Sequence, residues 1–170
     1  TLSRLAERTP PPEAPWSPEL RDRFVGLLAA GHDAVPVIES LDHVGLWTRY
    51  LPEWDAVRSR PQRNAYHRFT VDRHLLEAVA NAAALVDRVE RQDLLLVGTL
   101  LHDIAKGRPG DHSAVGADLA EEIGVRMGFD ADDRHTICTL VRLHLLLPDV
   151  ATRRDLGDPV TITTVADAVE

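Results

Sequence analysis

The stretch LLHDIAKG, residues 100–107, constrains the fold of this chain more than any other. His102, Asp103 and Lys106 follow directly on the apolar run Leu94-Leu95-Leu96-Val97. That is where burying charge costs most unless each charged group finds a partner. Lys106 is also the single lysine of the chain, all other basic residues being arginine. A workable fold must therefore bring polar partners from other elements to this point in the core.

The 170 residues suffice for one fully cored domain, or one domain with an appended segment. A net charge of −8 with acidic and basic residues interspersed leaves no basic stripe, so a nucleic-acid partner is not expected. The longest apolar run, residues 94–101, falls far short of the roughly 20 residues of a membrane span. No charged-then-apolar leader opens the chain. The expectation is a cytoplasmic protein without membrane attachment. Cys138 is alone, excludes an internal disulfide, and is expected to be a small buried filler. The chain starts at Thr1 without methionine and ends in the helix-like DPVTITTVADAVE, as expected of a piece of a longer polypeptide.

The periodicity predicts an all-α fold. Five prolines in residues 9–18 predict an extended linker. Ser17-Pro18 opens a helix to about Ala30. A second helix spans 33–43, and the aromatic, proline-punctuated stretch 46–62 reads as a loop with short helical turns. Thr70 caps a helix whose apolar face is Val71, Leu75, Ala78, Val79, Ala82, Leu85 and Val86, with His74 on the same face. Further helices are expected over 93–106, apolar nearly all round and central, over 113–127 stopped by Gly128, over 130–147 stopped by Pro148, and from Pro159 onward. The organisation expected is a proline-rich linker (1–18), a helical lead-in (19–64) and a main helical domain (65–170), truncated at its C-terminal end.

Four of the eight histidines, His74, His102, His112 and His144, fall on or at the ends of core-forming helices. Together with Asp103 they offer mixed nitrogen and oxygen donors from separate helices to a borderline divalent cation. A bridging Asp103 would suit two metals. Plainer readings stand beside this one. His102-Asp103 fits a mutually satisfied buried pair, His112 a helix cap, and His144 a single hydrogen-bonded core histidine. Lys106 fits either a cation for substrate phosphate or a lysine at a helix C-terminus. His32, His43 and His135 read as surface residues, and Tyr66-His67 as a candidate pocket wall. Arg68, Arg73, Arg142, Arg153 and Arg154 receive no role. Gly107, Pro109 and Gly110 read as a tight turn, since a phosphate-cradling loop follows a strand.

His74 with His102-Asp103 and the following IAKG resembles the HD metal-dependent phosphohydrolase superfamily. DHSAVGA (111–117) is similar to its third-histidine motif, and VRLHLLL to its histidine-pair segment, with Leu143 where many members have the first histidine. More narrowly, YHRFTVDRHLLE, HDIAKGRPGDHSAVGADLA and HLLLPDVATRRDLGDP resemble the uridylyl-removing region of the bifunctional PII uridylyltransferases. The resemblance implies an HD-domain helical bundle with a short N-terminal helical and linker extension. His74, His102, Asp103, His112 and His144 would be metal ligands, with Asp103 and Lys106 as catalytic residues. The cofactor would be a divalent metal (Mn, Fe, Zn or Mg), in one or two ions. The last carboxylate of the superfamily's ligand shell is expected beyond Glu170, Asp167 being read as a solvated residue. The implied reaction is metal-dependent hydrolysis of a phosphodiester, removing UMP or AMP from a tyrosine of the PII nitrogen-signalling protein, the implied partner. The alternatives are an HD hydrolase of free nucleotides or cyclic dinucleotides, and a non-catalytic, metal-containing regulatory module.

Overall fold

A computed structural model describes residues 1–62 and 68–169, so the expectation for Tyr66 and His67 lies outside the described residues. Among the described residues the regular structure is entirely helical. Helix α1 (Leu2–Arg8) precedes the prolines, because nothing before Pro10 breaks a helix; the region expected as linker thus starts with about two helical turns. Its far end is anchored as well. Trp16 is buried and donates its backbone N–H to Arg126 O at 2.9 Å.

Helix α2 (Pro18–Ala29) starts as expected, with the Ser17 hydroxyl accepting from Leu20 N and proline in the first turn. Helix α3 (Ala34–His43), the short α4 (Trp47–Tyr50) and a 3-10 turn (Pro52–Ala56) complete the lead-in. Its core is aromatic. Phe24 stacks on Trp47 with centroids 5.3 Å apart, and Trp47 meets Trp54 edge-to-face at 5.8 Å. This cluster is continuous with the apolar faces of the helices that follow, so one hydrophobic core runs from Trp16 to Val141.

Helix α5 (Val71–Ala83) buries Val71, Leu75, Leu76, Val79, Ala80 and Ala82. It stops before Leu85, which is exposed where the apolar pattern placed it inside. Helix α6 (Gln92–Leu101) is the central element, packed against α5 and α8 (Ala131–Arg142). Helix α7 (His112–Met127) runs along α8, capped by the Asp111 carboxylate and closed by Gly128 in the left-handed region at φ +76°. Two further helices are shorter than periodicity predicts. The first, expected to reach Lys106, ends at Leu101 and tightens into i→i+3 turns, Ile104 N to Leu101 O and Lys106 N to Asp103 O. The second, expected over 130–147, breaks after Arg142 and resumes as α9 (Leu146–Arg153). Pro148 does not stop it: in the first turn of α9 a proline removes no intrahelical N–H donor. Helix α10 (Pro159–Val169) opens at its proline, as expected. Among the described residues no single helix is long and apolar enough to cross a membrane.

Cys138, on α8, is half-buried rather than buried. Its Sγ donates to Ala117 O at 3.4 Å and lies 3.6 Å from Glu121 Oε2. Burial, reinforced by the Glu121 charge, pushes the thiol up to about 11. A raised thiol pKa makes thiolate scarce, roughly one part in a thousand at pH 8 against about a quarter for an ordinary cysteine near 8.5. Alkylation by iodoacetamide at pH 8 is expected to be about 100-fold slower than for a free cysteine, and faster in Glu121→Gln. A rate within about threefold of free cysteine would refute the assignment.

Candidate metal centre

Two of the helix endings that periodicity misses, those of α6 and α8, are where the site is built. At the end of α6 the His102 ring donates its Nδ1–H back to Thr99 O at 2.7 Å, and the tightened turn points the Asp103 carboxylate inward, 2 % exposed. The same turn brings Lys106, three residues on, to 2.6 Å from Asp103 Oδ2. At the break after α8, His144 donates Nδ1–H to Val141 O at 2.7 Å. A carbonyl only accepts, so in both rings Nδ1 carries the hydrogen, and neutral imidazole then presents Nε2 as a lone pair. His74 reaches in from the first turns of α5, and His112 from the first residue of α7.

Asp103 sits between two pairs of histidines and offers one oxygen to each. Oδ2 faces His102 Nε2 at 3.3 Å and His74 Nε2 at 3.6 Å. Oδ1 faces His144 Nε2 at 3.5 Å and His112 Nε2 at 3.7 Å. The two resulting trios, His74-His102-Asp103 and Asp103-His112-His144, each hold their donor atoms within 4.8 Å of one another. The predicted ligand residues therefore converge, and the carboxylate is shared.

The donor set suits a divalent cation. Asp103 Oδ1 and His144 Nε2 are both fully buried and make no hydrogen bond among the described residues. A buried polar atom left unpaired costs about 1–3 kcal/mol, and two facing acceptors have no proton to share unless one is added. A cation between them satisfies both. His74 Nε2 and His102 Nε2 lie 3.1 Å apart on the other side of the carboxylate. Burial pushes the Asp103 pKa upward, but the His102 and His144 rings and the Lys106 ammonium outweigh it and hold the carboxyl well below the usual range. It stays an anion. For His144 burial opposes the charged ring, while Asp103 wins and raises its pKa.

Lys106 lies beyond the end of α6 at Leu101, and besides Asp103 it donates to Gln62 Oε1 at 2.8 Å. Asp167 is exposed on α10 and joins neither trio. His32, His43 and His135 are exposed, as expected. Arg73 pairs with Glu77 and Glu39. The site opens into a cleft of about 800 Å³ whose wall includes Arg60, Pro61 and Gln62 from the lead-in, Gly98 and Thr99 from α6, and Leu140. Arg60 and Gln62 lie in the stretch GLWTRYLPEWDAVRSRPQRNAYHRF, which resembles the segment preceding the HD domain in the uridylyl-removing family, but neither receives a role of its own from the sequence.

Comparison with known proteins places this geometry. The chain is 53% identical over 168 residues to the bifunctional uridylyltransferase/uridylyl-removing enzyme of Streptomyces coelicolor, covering 99% of this chain and 20% of that protein. It is 50% identical over 169 residues to the enzyme of the same name from Mycobacterium tuberculosis and 37% over 169 residues to that of Corynebacterium glutamicum, covering 99% of this chain and 21% and 24% of those proteins. It thus spans roughly a fifth of the length of the curated relatives it matches. The HD domain model matches residues 71–170, a range that holds all four convergent histidines together with Asp103 and Lys106. On that match and this geometry, the chain belongs to the HD domain family.

Proposed function

We propose that this domain is a metal-dependent phosphodiesterase that removes a nucleotidyl group, UMP in the first instance, from a tyrosine of a PII signalling protein. The observation that carries the reading is the single buried carboxylate shared between two histidine pairs at the floor of an open cleft. Relatives named as uridylyl-removing enzymes supply the choice of nucleotide.

His74, His102 and Asp103 would hold one ion, and Asp103, His112 and His144 a second. A divalent metal bound there supplies Lewis acidity, polarising phosphoryl oxygens and lowering the pKa of water towards about 7. The protein does the positioning. Nδ1–H bonds to Thr99 O and Val141 O lock the His102 and His144 rings with Nε2 inward. Lys106, held by Gln62 and Asp103, keeps a positive charge at the edge of the cluster, where it offsets the anionic diester. Water adds to phosphorus as the bond to the tyrosyl oxygen breaks, giving UMP and the free phenol. With a pKa near 10, the phenol leaves more readily than an alcohol.

The test is to incubate uridylylated PII, adenylylated PII, free nucleotides and a cyclic dinucleotide with the protein and Mn²⁺, before and after chelation. UMP release from PII that chelator abolishes and Mn²⁺ restores is the expected result. Hydrolysis confined to free or cyclic nucleotides, or release that chelator does not affect, would overturn the reading.

A further inference from the structure

The cleft wall carries a guanidinium, that of Arg60, that no described residue engages in a hydrogen bond or ion pair. Arg60 is fixed at its backbone, its N–H donating to Val57 O at 3.1 Å and its carbonyl accepting from Val71 N at 2.9 Å. Its side chain lies across the backbone of Gly107, immediately after Lys106. A Cβ on Gly107 would collide with the guanidinium, and Gly107 stands at φ +90°, where a side chain is disfavoured in any case. The neighbouring arginines are spent on carboxylates: Arg58 holds Asp42 and Asp55, and Arg73 holds Glu77 and Glu39. The Arg60 guanidinium makes no hydrogen bond or ion pair among the described residues, and it lines the same cleft as the Asp103 cluster.

We propose that Arg60 is a substrate-binding residue that donates to a phosphoryl oxygen of the bound ester through its planar fork of N–H groups. This rests on the phosphodiesterase reading for the identity of the ester and on the structure for the placement of the charge. An unpaired guanidinium held against a glycine, one residue from the Lys106 ammonium, supplies directed donors to an anion entering the cleft. Lys106 already commits two of its three N–H donors to Asp103 and Gln62, and its ammonium lacks the planar fork that a guanidinium offers to two oxygens at once. Arg60 comes from the lead-in and not from the helices that carry the metal-ligand candidates, so the lead-in contributes to recognition as well as to stability.

The experiment uses Mn²⁺-loaded protein and two probes, uridine monophosphate and inorganic phosphate, with affinity read by calorimetry and metal content by elemental analysis. Arg60→Ala is expected to weaken both probes about tenfold or more with metal content unchanged, and to raise KM for ester release more than it lowers kcat. Arg60→Gln, which keeps most of the stem over Gly107 and removes the charge, is expected to show the same loss. Wild-type affinity in Arg60→Gln, or wild type that binds neither probe at millimolar concentration, would overturn the proposal. The two readings fail separately. Arg60-dependent binding without any hydrolysis removes the proposed reaction and keeps Arg60, while hydrolysis indifferent to Arg60 does the reverse.

Discussion

Asp103→Ala is expected to strip the site of all bound metal at once and to lower hydrolysis by about 10³-fold or more, the scale of losing a principal electrostatic element of a catalytic site. The reason is geometric: one carboxylate serves both trios, Oδ2 toward His74 and His102, Oδ1 toward His112 and His144. Single histidine variants should behave differently. His74→Ala removes a donor from one trio and His112→Ala from the other, so each is expected to keep metal in the unaltered trio. Elemental analysis after gel filtration separates the cases, and equal stoichiometry in Asp103→Ala and wild type would remove the metal assignment. Removing Asp103 also costs stability, because the Lys106 ammonium loses its carboxylate partner, so circular dichroism of Asp103→Ala and of the isosteric Asp103→Asn separates metal loss from unfolding.

Acidification should release metal through the histidines and not through Asp103. The carboxyl is held well below its usual range and stays ionised throughout the working range. The His144 ring in the metal-free protein titrates above the ordinary histidine value because Asp103 favours its charged form. A proton and a metal ion compete for the same Nε2, so occupancy at limiting Mn²⁺ is expected to fall as pH drops from about 8 to 6. For stability the sign is opposite. The raised His144 pKa stabilises the metal-free fold fully below the unfolded value near 6.5, and that contribution is lost as pH rises through the folded value. Metal-free protein should therefore lose stability, and loaded protein gain metal, over the same interval.

The sequence was informative about the site because ligand chemistry is local. Histidines at positions 74, 102, 112 and 144, set on or beside apolar helical faces and next to an aspartate, have few uses, and the structure brings all four to Asp103. Sharing of the carboxylate could be anticipated from its position but not its cause. Periodicity carries a helix through Lys106, whereas the chain tightens after Leu101, where the His102 side chain takes a terminal carbonyl. The break after Arg142 has the same origin, with His144 bonded to Val141 O. A hydrophobic pattern reports which face is buried and is blind to a side chain that competes for the backbone. Arg60 and Gln62 were illegible for another reason. Their roles come from contacts to Gly107 and Lys106, more than forty positions away, and nothing around them in sequence encodes that approach.

Trp54→Ala is expected to destabilise the whole protein by about 3–5 kcal/mol, the cost of removing a fully buried tryptophan. Trp54 is 1% exposed, packs edge-to-face on Trp47, and lies in a core cluster that continues without interruption into Leu96, Ile123 and Met127. Polar ties cross the same boundary. Arg126 on α7 grips Glu53 through two bonds of 2.9 and 2.7 Å, and Ser59 N donates to Asp72 at the start of α5. Lead-in and bundle should therefore unfold together, because neither can expose its half of the core without opening the other's. Urea unfolding followed by tryptophan fluorescence, which reports the lead-in, and by far-ultraviolet circular dichroism, dominated by the bundle helices, is expected to give coincident transitions in wild type. In Trp54→Ala both should shift to lower urea with little change in slope. Weaker Mn²⁺ binding is expected as well, since the lead-in holds Gln62 against Lys106 and Lys106 against Asp103. A variant in which only the fluorescence transition moves, with circular dichroism and metal binding as in wild type, would show that the lead-in is a separate unit, and that the cleft wall it provides is dispensable for the metal centre.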